Sequence, residues 1–133
     1  MKELIEFLSK NKFGSLATCM EHQPDNRPME CAFVSEKGLF FYTKQGEDLA
    51  EQISKNPNVC FTATDPNYNY IKIKGSVVVS DDEEDQVSIL NNSSFAKQVF
   101  KEKDRSSMIV FYLPHGKGMM HSHGDNKPVS FEF

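Results

Sequence analysis

The sequence has little positive charge. It contains 15 lysine and arginine residues against 19 aspartate and glutamate residues, which gives a formal net charge of −4 at pH 7. No segment of the sequence carries a basic stripe. Because binding to nucleic acid is driven largely by clustered lysine and arginine at phosphates, this composition argues against nucleic acid as the main partner.

Cysteine is also scarce. Cys19, Cys31 and Cys60 are odd in number, far apart in the sequence and set within apolar strand patterns, and no C-x-x-C pair occurs. This usage indicates reduced core thiols in a cytoplasmic protein rather than a disulfide framework.

The sequence lacks a long apolar run. Met1 leads directly into KELIEFLSKN without the apolar centre of a signal peptide, and no segment is long enough to cross a bilayer. We therefore expect a soluble, unexported protein that does not enter a membrane. Since the 133 residues contain no repeat, linker or low-complexity segment, we expect one domain over residues 1–133.

Motifs for nucleophilic catalysis are missing as well. Serine, cysteine and histidine are present, but nothing resembles a nucleophile elbow or a Cys–His motif. The sequence therefore nominates no catalytic residue.

A β-hairpin pattern extends from Arg27 to Lys44. Residues 29–34 alternate in character, Glu36-Lys37-Gly38 supplies a turn, and residues 39–43 lead back. Such a hairpin brings the Arg-Pro start of one strand beside the Thr-Lys end of the other. Cationic and hydroxyl groups then converge at one end, which suits a ligand with an anionic tail and a flat apolar head. The alternative is that Arg27 and Lys44 are ordinary solvated strand ends.

Periodicity and turn residues predict the other elements. We expect helices at 2–11 and 47–55, then a pair after residue 80, the first using Val87 and Leu90 and the second pairing Ala96 with Phe100 and Phe95 with Val99. The first helix should present Leu4, Ile5 and Leu8 on one face. Strands are expected at 13–22, 58–64, 70–79, 108–113 and 119–123, with an alternating tail at 129–133 and turns at 23–26, 115–118 and 124–126.

Three of these segments carry more specific predictions. Gly75 inside the long strand 70–79 marks a bulge or bend, while Ile71, Ile73, Val77 and Val79 share one face of that strand. Ser80 to Glu83 has the form of a capping box, so we interpret the acidic run 81–85 as a helix start rather than a metal site. Met108–Leu113 is apolar on both faces and should be covered on both sides, with a second subunit as one candidate cover. Together these elements predict a mainly β (α+β) fold, a closed or split β-barrel of six or seven antiparallel strands with peripheral helices.

Several short motifs, taken in order, resemble a known family. They are FGSLATC, RPMECAFV, GLFFYTK, a helix ending in NPNV, YIKIKGSVVV with an acidic continuation, and IVFYLPHGKGMMHS. In order and spacing they are similar to the pyridoxamine 5′-phosphate oxidase-like split barrels, and most of all to the flavin-binding group that includes nitroimidazole-resistance-type proteins. The resemblance covers essentially the whole chain.

This resemblance implies a homodimer with one FMN in each of two clefts between the subunits, acting in redox chemistry on a small molecule. The isoalloxazine would lie along the strand from Arg27 to Phe33, and the phosphate would be held by Arg27, Thr43 and the start of the next helix. Such a cleft also makes physical sense, since a phosphate needs a guanidinium fork, a hydroxyl and free helix N–H groups. The predicted cofactor-binding residues are Arg27, Pro28, Met29, Glu30, Cys31, Tyr42, Thr43 and Lys44.

One position departs from the family pattern. Members usually carry a lysine near positions 46–48, where this chain has Gly46, Glu47 and Asp48. Two carboxylates in the first turn of a helix compete with a phosphate for the same N–H groups. We therefore expect Arg27 to be the main anchor, Lys44 to replace the missing lysine, and FMN to bind weakly.

A second possible site lies near the end of the sequence. His115, His121 and His123, with Met119 and Met120 between, are a group of imidazole and thioether ligands for a transition metal or haem, a use known in haem-handling relatives of this fold. The other interpretation is a polar strand end, since Asp125 is the only nearby carboxylate. A haem or metal binder and a degenerate, ligand-free dimer are thus the alternatives to a flavoprotein.

Overall fold

The computed structural model describes residues 2–124 and 127–133, so Asp125 and Asn126 of the predicted turn lie outside the described residues. The strands are β1 (Phe13–Met20), β2 (Gln23–Glu30), β3 (Phe33–Ser35), β4 (Gly38–Lys44), β5 (Asn58–Thr64), β6 (Tyr70–Ser76), β7 (Val78–Val79), β8 (Met108–Leu113), β9 (Lys117–His121) and β10 (Val129–Glu132). The helices are α1 (Lys2–Lys10), α2 (Asp48–Lys55), α3 (Glu83–Asn92), α4 (Ser94–Val99) and one 3₁₀ helix (Glu102–Ser107).

The strands form two antiparallel sheets. The larger has the order β10-β9-β6-β5-β1-β2, and the smaller has the order β3-β4-β8-β7. The predicted mainly β, split-barrel architecture with peripheral helices is confirmed. The described chain has ten strand segments rather than six or seven, because two predicted strands are each divided between the sheets and the alternating tail forms a further strand, β10.

The first division falls inside the predicted hairpin strand 27–34. The Cys31 N–H donates to the Lys12 carbonyl at 2.8 Å, whereas the next N–H, of Ala32, donates to the Phe40 carbonyl at 2.9 Å. The chain thus changes sheet within two residues. Within the predicted hairpin only β3 and β4 pair with each other, and β2 pairs with β1 instead.

The second division follows Gly75, where a bend was predicted. A Cβ at this glycine would lie 2.4 Å from the His115 carbonyl oxygen, so the close approach of the two backbones excludes any side chain. Val77 then donates its N–H to the Pro57 carbonyl at 2.9 Å, between β6 and β7. Val79 lies in β7, which joins the smaller sheet, and it is exposed, so it does not share the buried face of Ile71, Ile73 and Val77 as predicted.

The turn predicted at residues 23–26 is also wrong, since these residues belong to β2. The connection is Glu21-His22, with φ of 52° and 67°. A two-residue loop with positive φ at both positions matches the twist of the flanking strands. Pro24 and Pro28 are tolerated in β2 because it is an edge strand, where a missing N–H breaks no ladder.

Two apolar clusters stabilise the fold. The main core lies between the sheets and includes Phe41, Phe61 and Phe111, with 5.0 Å between the centroids of the first two rings. The second cluster covers the other face of the smaller sheet and includes Ile89 of α3 and Ala96 of α4. Strand β8 contributes to both clusters, so its predicted burial on both faces is confirmed and is accounted for within one chain.

The acidic run starts a helix, as predicted, but with a different cap. Asp82 is the N-cap residue of α3, and its carboxylate accepts the Glu84 N–H at 2.9 Å. Ser80, the predicted cap, lies outside the helix. The buried face of α3 carries Ile89, whereas Val87 is exposed. Of the two residues predicted to pack from this helix, Leu90 is partly buried against the second apolar cluster, and Val87 is not.

The last strands also differ from the prediction. Lys117 and Gly118 lie in β9 rather than in a turn, and β9 ends at His121, before His123. Pairing with both β6 and β10 fixes this register, which local turn residues do not reveal.

Two further apolar side chains that were predicted to face the core are exposed. Ile5 lies on the outer face of α1, and Cys19 lies on the outer face of β1, while Cys60 is half-buried and Cys31 alone of the three thiols lies in the core. No helix among residues 2–124 and 127–133 is long and apolar enough to cross a membrane.

Candidate functional site

A cavity of about 700 Å³ lies between β2, β4, the start of α2 and α4. Seven of the eight predicted site residues line it: Arg27, Pro28, Met29, Glu30, Tyr42, Thr43 and Lys44. Cys31 does not, because the chain has left β2 at this point and the thiol, 1% exposed, packs in the main core. Burial raises the pKa of this thiol to about 12.

Arg27 is held by hydrogen bonds from both of its terminal nitrogens. Nη1 donates to the Leu16 carbonyl at 3.2 Å and to Thr18 Oγ1 at 2.9 Å. Nη2 donates to Asp25 Oδ2 at 3.0 Å and to Gln52 Oε1 at 2.7 Å. The guanidinium fork that was predicted to grip a phosphate is therefore already used within the chain, and a ligand reaches it only through Nε or by displacing a partner.

Asp25 and Gln52 form the part of this network that sequence reasoning missed. Gln52 Nε2 donates to Asp25 Oδ2 at 3.0 Å. This bond, together with the positive charge of Arg27, holds the pKa of Asp25 below its ordinary value, although partial desolvation acts in the opposite direction. Asp25 thus stays ionised at neutral pH and competes with any anion for Arg27. No local pattern could indicate it, because Gln52 lies on α2.

Lys44 and Thr43 close β4 at the same end of the cavity. The Thr43 side chain is buried, whereas Lys44 is exposed and makes no ion pair with any residue that the structure describes. Lys44 is thus the more available cation for a ligand, which reverses the order predicted from the sequence.

The start of α2 faces this end of the cavity. Gly46, at φ 92°, turns the chain into the helix, and the N-cap residue Glu47 makes no side-chain capping bond. The first N–H groups of a helix lack partners within it and favour an anion. Glu47 and Asp48 line the cavity as well, so their carboxylates oppose such an anion, as predicted.

Glu30 occupies the other end of β2. It is 6% exposed, and its Oε1 accepts hydrogen bonds from Tyr42 Oη at 2.8 Å and from Ser93 Oγ. Burial raises the pKa of Tyr42, the hydrogen bond with Ser93 opposes this rise, and the hydrogen bond and charge of Glu30 add to it. Ser93 also caps α4, where its Oγ accepts the Ala96 N–H at 2.9 Å. Its position directly before an apolar helix was the one sequence signal available for it.

The remaining walls are apolar. Phe13 and Phe95, both exposed, meet edge to face with 6.1 Å between ring centroids, and Val99 and Phe100 extend this surface. The sequence pattern Phe95/Val99 beside Ala96/Phe100 gave α4 two apolar faces. One face packs in the second cluster, and the other lines the cavity.

A second groove of about 690 Å³ lies on the outer face of the larger sheet, where Cys19, Cys60 and His115 line it. This groove offers fewer groups for binding a ligand than the cavity does, because its lining includes neither a helix terminus nor a buried carboxylate. The candidate site is therefore the cavity.

The three histidines considered as a possible metal or haem site are not brought together. His115 lies in the groove beyond one end of β9, and His121 lies at the other end, opposite Tyr70, on whose ring it stacks at 4.3 Å. The buried Nε2 of His121 has no hydrogen-bond partner. Within the described part of the chain, no group of three histidine, cysteine or acidic residues is placed to hold a metal ion.

Known proteins resemble this chain along most of its length. General stress protein 26 from Bacillus subtilis (strain 168) is 27% identical over 140 residues, which cover 98% of this chain and 94% of that protein. A NimC/NimA family protein from Clostridium acetobutylicum has a similar structure, with a TM-score of 0.86, 24% identity, and coverage of 100% of this chain and 92% of the other.

Two further solved structures differ in what they bind. A pyridoxamine 5′-phosphate oxidase-related, FMN-binding protein from Nostoc punctiforme has a TM-score of 0.69 at 16% identity, covering 99% of this chain and 95% of the other. A heme-binding protein from Mycobacterium smegmatis has a TM-score of 0.70 at 14% identity, covering 90% and 52%. At these identities the likeness extends to the fold.

The family assignment comes from a profile match over most of the chain. The family profile described as pyridoxamine 5′-phosphate oxidase matches residues 1–113, which include every strand that lines the cavity. The two-sheet fold and the resembling structures agree with this match. The chain therefore belongs to the pyridoxamine 5′-phosphate oxidase family.

Proposed function

We propose that this protein binds FMN in the cavity and uses it to oxidise or reduce a small molecule. The observation that carries the proposal is the convergence of Lys44, Thr43 and the uncapped start of α2 at one end of a cavity with apolar walls. An FMN-binding protein with the same fold supports it. When bound, FMN supplies the hydride or electron transfer, and the protein supplies position and electrostatics.

The residues present fit FMN, with one opposing feature. Lys44, the Thr43 hydroxyl and the first N–H groups of α2 would hold the phosphate, while Pro28 and Met29 of β2 would form a wall for the ring system. The carboxylates at the start of α2 and the engagement of Arg27 by Asp25 weaken the attraction for a phosphate. We therefore expect weak binding and loss of the cofactor during purification.

The proposal includes a homodimer in which the partner subunit completes the flavin cleft. This follows the pattern that the family resemblance implies. The exposed Phe13 and Phe95 at the cavity are consistent with it, because an adjacent subunit would cover them.

Titration of FMN fluorescence quenching tests the phosphate end of the site. A charge-assisted hydrogen bond contributes roughly 1.5–3 kcal/mol, so Lys44→Ala should weaken FMN binding by about one to two orders of magnitude. Glu47→Lys should tighten it, because it restores the cation common in the family. Lys10→Ala, an exposed lysine on α1, is the matched control.

Riboflavin, which lacks the phosphate, separates the phosphate contacts from general effects. Neither Lys44→Ala nor Glu47→Lys should change riboflavin affinity more than about twofold if the phosphate lies where we propose. FMN affinity that is unmoved by both substitutions would refute the assignment. The visible absorption spectrum of protein reconstituted with FMN or with haem distinguishes a flavoprotein from a haem protein and from an empty dimer.

A further inference from the structure

Glu30 is a buried carboxylate with one oxygen fully engaged. Its Oε1 accepts from Tyr42 Oη at 2.8 Å and from Ser93 Oγ. Because Ser93 Oγ accepts the Ala96 N–H at 2.9 Å, its own proton is free to point at Glu30. Two hydroxyl donors on one oxygen are the arrangement expected around an ionised carboxylate.

The second oxygen, Oε2, accepts no hydrogen bond from the described residues and is not fully buried. Among the described residues, His121 Nε2 is the single fully buried side-chain N or O atom without a hydrogen-bond partner. Glu30 Oε2 also lacks a partner, so it must retain some accessible surface. Glu30 itself lines the cavity. An acceptor oxygen on a side chain that is 6% exposed is therefore presented to whatever enters the cavity.

The charges around the cavity do not neutralise this carboxylate. Four acidic residues and two basic residues line the cavity, and of the two bases Arg27 is paired with Asp25. Arg27 lies three residues from Glu30 along β2, roughly 10 Å at the rise of a strand. None of the ion pairs in the described chain includes Glu30. The Glu30 end therefore lacks a cation that a ligand could supply.

Aromatic side chains stand beside it. Phe13, Phe95 and Phe100 line the cavity, and the first two meet edge to face. Flat rings pack well against such walls, and a cation near an aromatic face gains further attraction.

From these observations we propose that the Glu30 end is the substrate subsite, and that it takes an aromatic compound with a positively charged or N–H-bearing group that donates to Glu30 Oε2. As a statement about substrate, this rests on the proposed flavin function. As a statement about binding, it concerns residues of this chain and holds with or without FMN.

Three probes of nearly equal shape test the proposal. Purified full-length protein is titrated, with and without saturating FMN, with 2-naphthylmethylamine, 2-naphthylmethanol and 2-naphthoate. The amine should bind at least tenfold more tightly than the alcohol, and the carboxylate should bind weakest. Glu30→Gln should remove most of the preference for the amine, whereas Glu47→Gln, which changes the cavity charge equally at the other end, should change it less than threefold.

The outcomes separate this inference from the flavin proposal. Equal affinity for the amine and the carboxylate, or equal effects of Glu30→Gln and Glu47→Gln, would overturn it even if FMN binds as proposed. If the protein prefers the amine in a Glu30-dependent way but does not bind FMN, the subsite inference is supported and only the flavin function is refuted. Should Glu30→Gln not fold, Phe95→Ala, which truncates an exposed side chain, should weaken the amine about fivefold, and an unchanged affinity would overturn the subsite.

Discussion

The hydrogen bonds that hold Glu30 make a testable contribution to stability. Tyr42 is 7% exposed and donates to Glu30 Oε1 at 2.8 Å. Hydrogen bonds to charged groups stabilise by roughly 1.5–3 kcal/mol, and removing the donor from a buried carboxylate leaves part of its charge uncompensated. We expect Tyr42→Phe to lower the free energy of unfolding by about 2 kcal/mol.

Ser93→Ala should cost more, because the hydroxyl has two roles. It donates to Glu30 and accepts the Ala96 N–H as the cap of α4. Loss of a helix cap adds roughly 1 kcal/mol to the loss of the hydrogen bond, which gives about 3 kcal/mol in total. The double variant should lose more than the sum of the two single losses, since Glu30 Oε1 then has no donor.

Urea unfolding followed by circular dichroism measures these differences. Tyr112→Phe is the control, because its ring stacks on Phe40 at 5.0 Å while its hydroxyl donates to no residue in the described ranges. It should stay within about 0.5 kcal/mol of the wild type. A Tyr42→Phe variant as stable as the control would refute the reasoning.

The pH dependence of stability gives an independent check of the burial of Tyr42. Burial raises the pKa of Tyr42 above its ordinary value of 10.0. The folded state therefore prefers the neutral phenol, so its contribution to stability is complete below about pH 10 and is lost as the pH rises further. The wild type should lose more stability than Tyr42→Phe between pH 8 and pH 11, and equal losses would contradict this.

Two further predictions concern the thiols and the assembly. At pH 8, an alkylating reagent should label exposed Cys19 rapidly and Cys31 only after unfolding, because burial raises the pKa of Cys31 to about 12. Mass spectrometry of the labelled peptides measures the two rates. Similar labelling rates of Cys19 and Cys31 in the native protein would contradict this prediction. Sedimentation velocity at micromolar concentration should give about twice the 15.2 kDa chain mass, whereas a stable monomer would rule out the homodimer.

Local patterns in the sequence predicted the elements and most of the cavity. The alternation of residues 58–64 and the apolar stretch 108–113 define β5 and β8 to the residue, because each pattern continues for as long as the strand does. Seven of eight predicted site residues line the cavity. They lie at the ends of β2 and β4, and these ends meet at the cavity although the two strands do not pair as the predicted hairpin.

Only the tertiary structure decided which sheet each strand joins and which groups meet across the cavity. The proline-containing stretch 23–26 is typical of a turn, but the edge position of β2 allows it to be a strand. Arg27 meets Gln52 across 25 residues, and Glu30 meets Ser93 across 63. Such contacts depend on how α2 and α4 pack against the sheets. Local residue spacing does not indicate that packing.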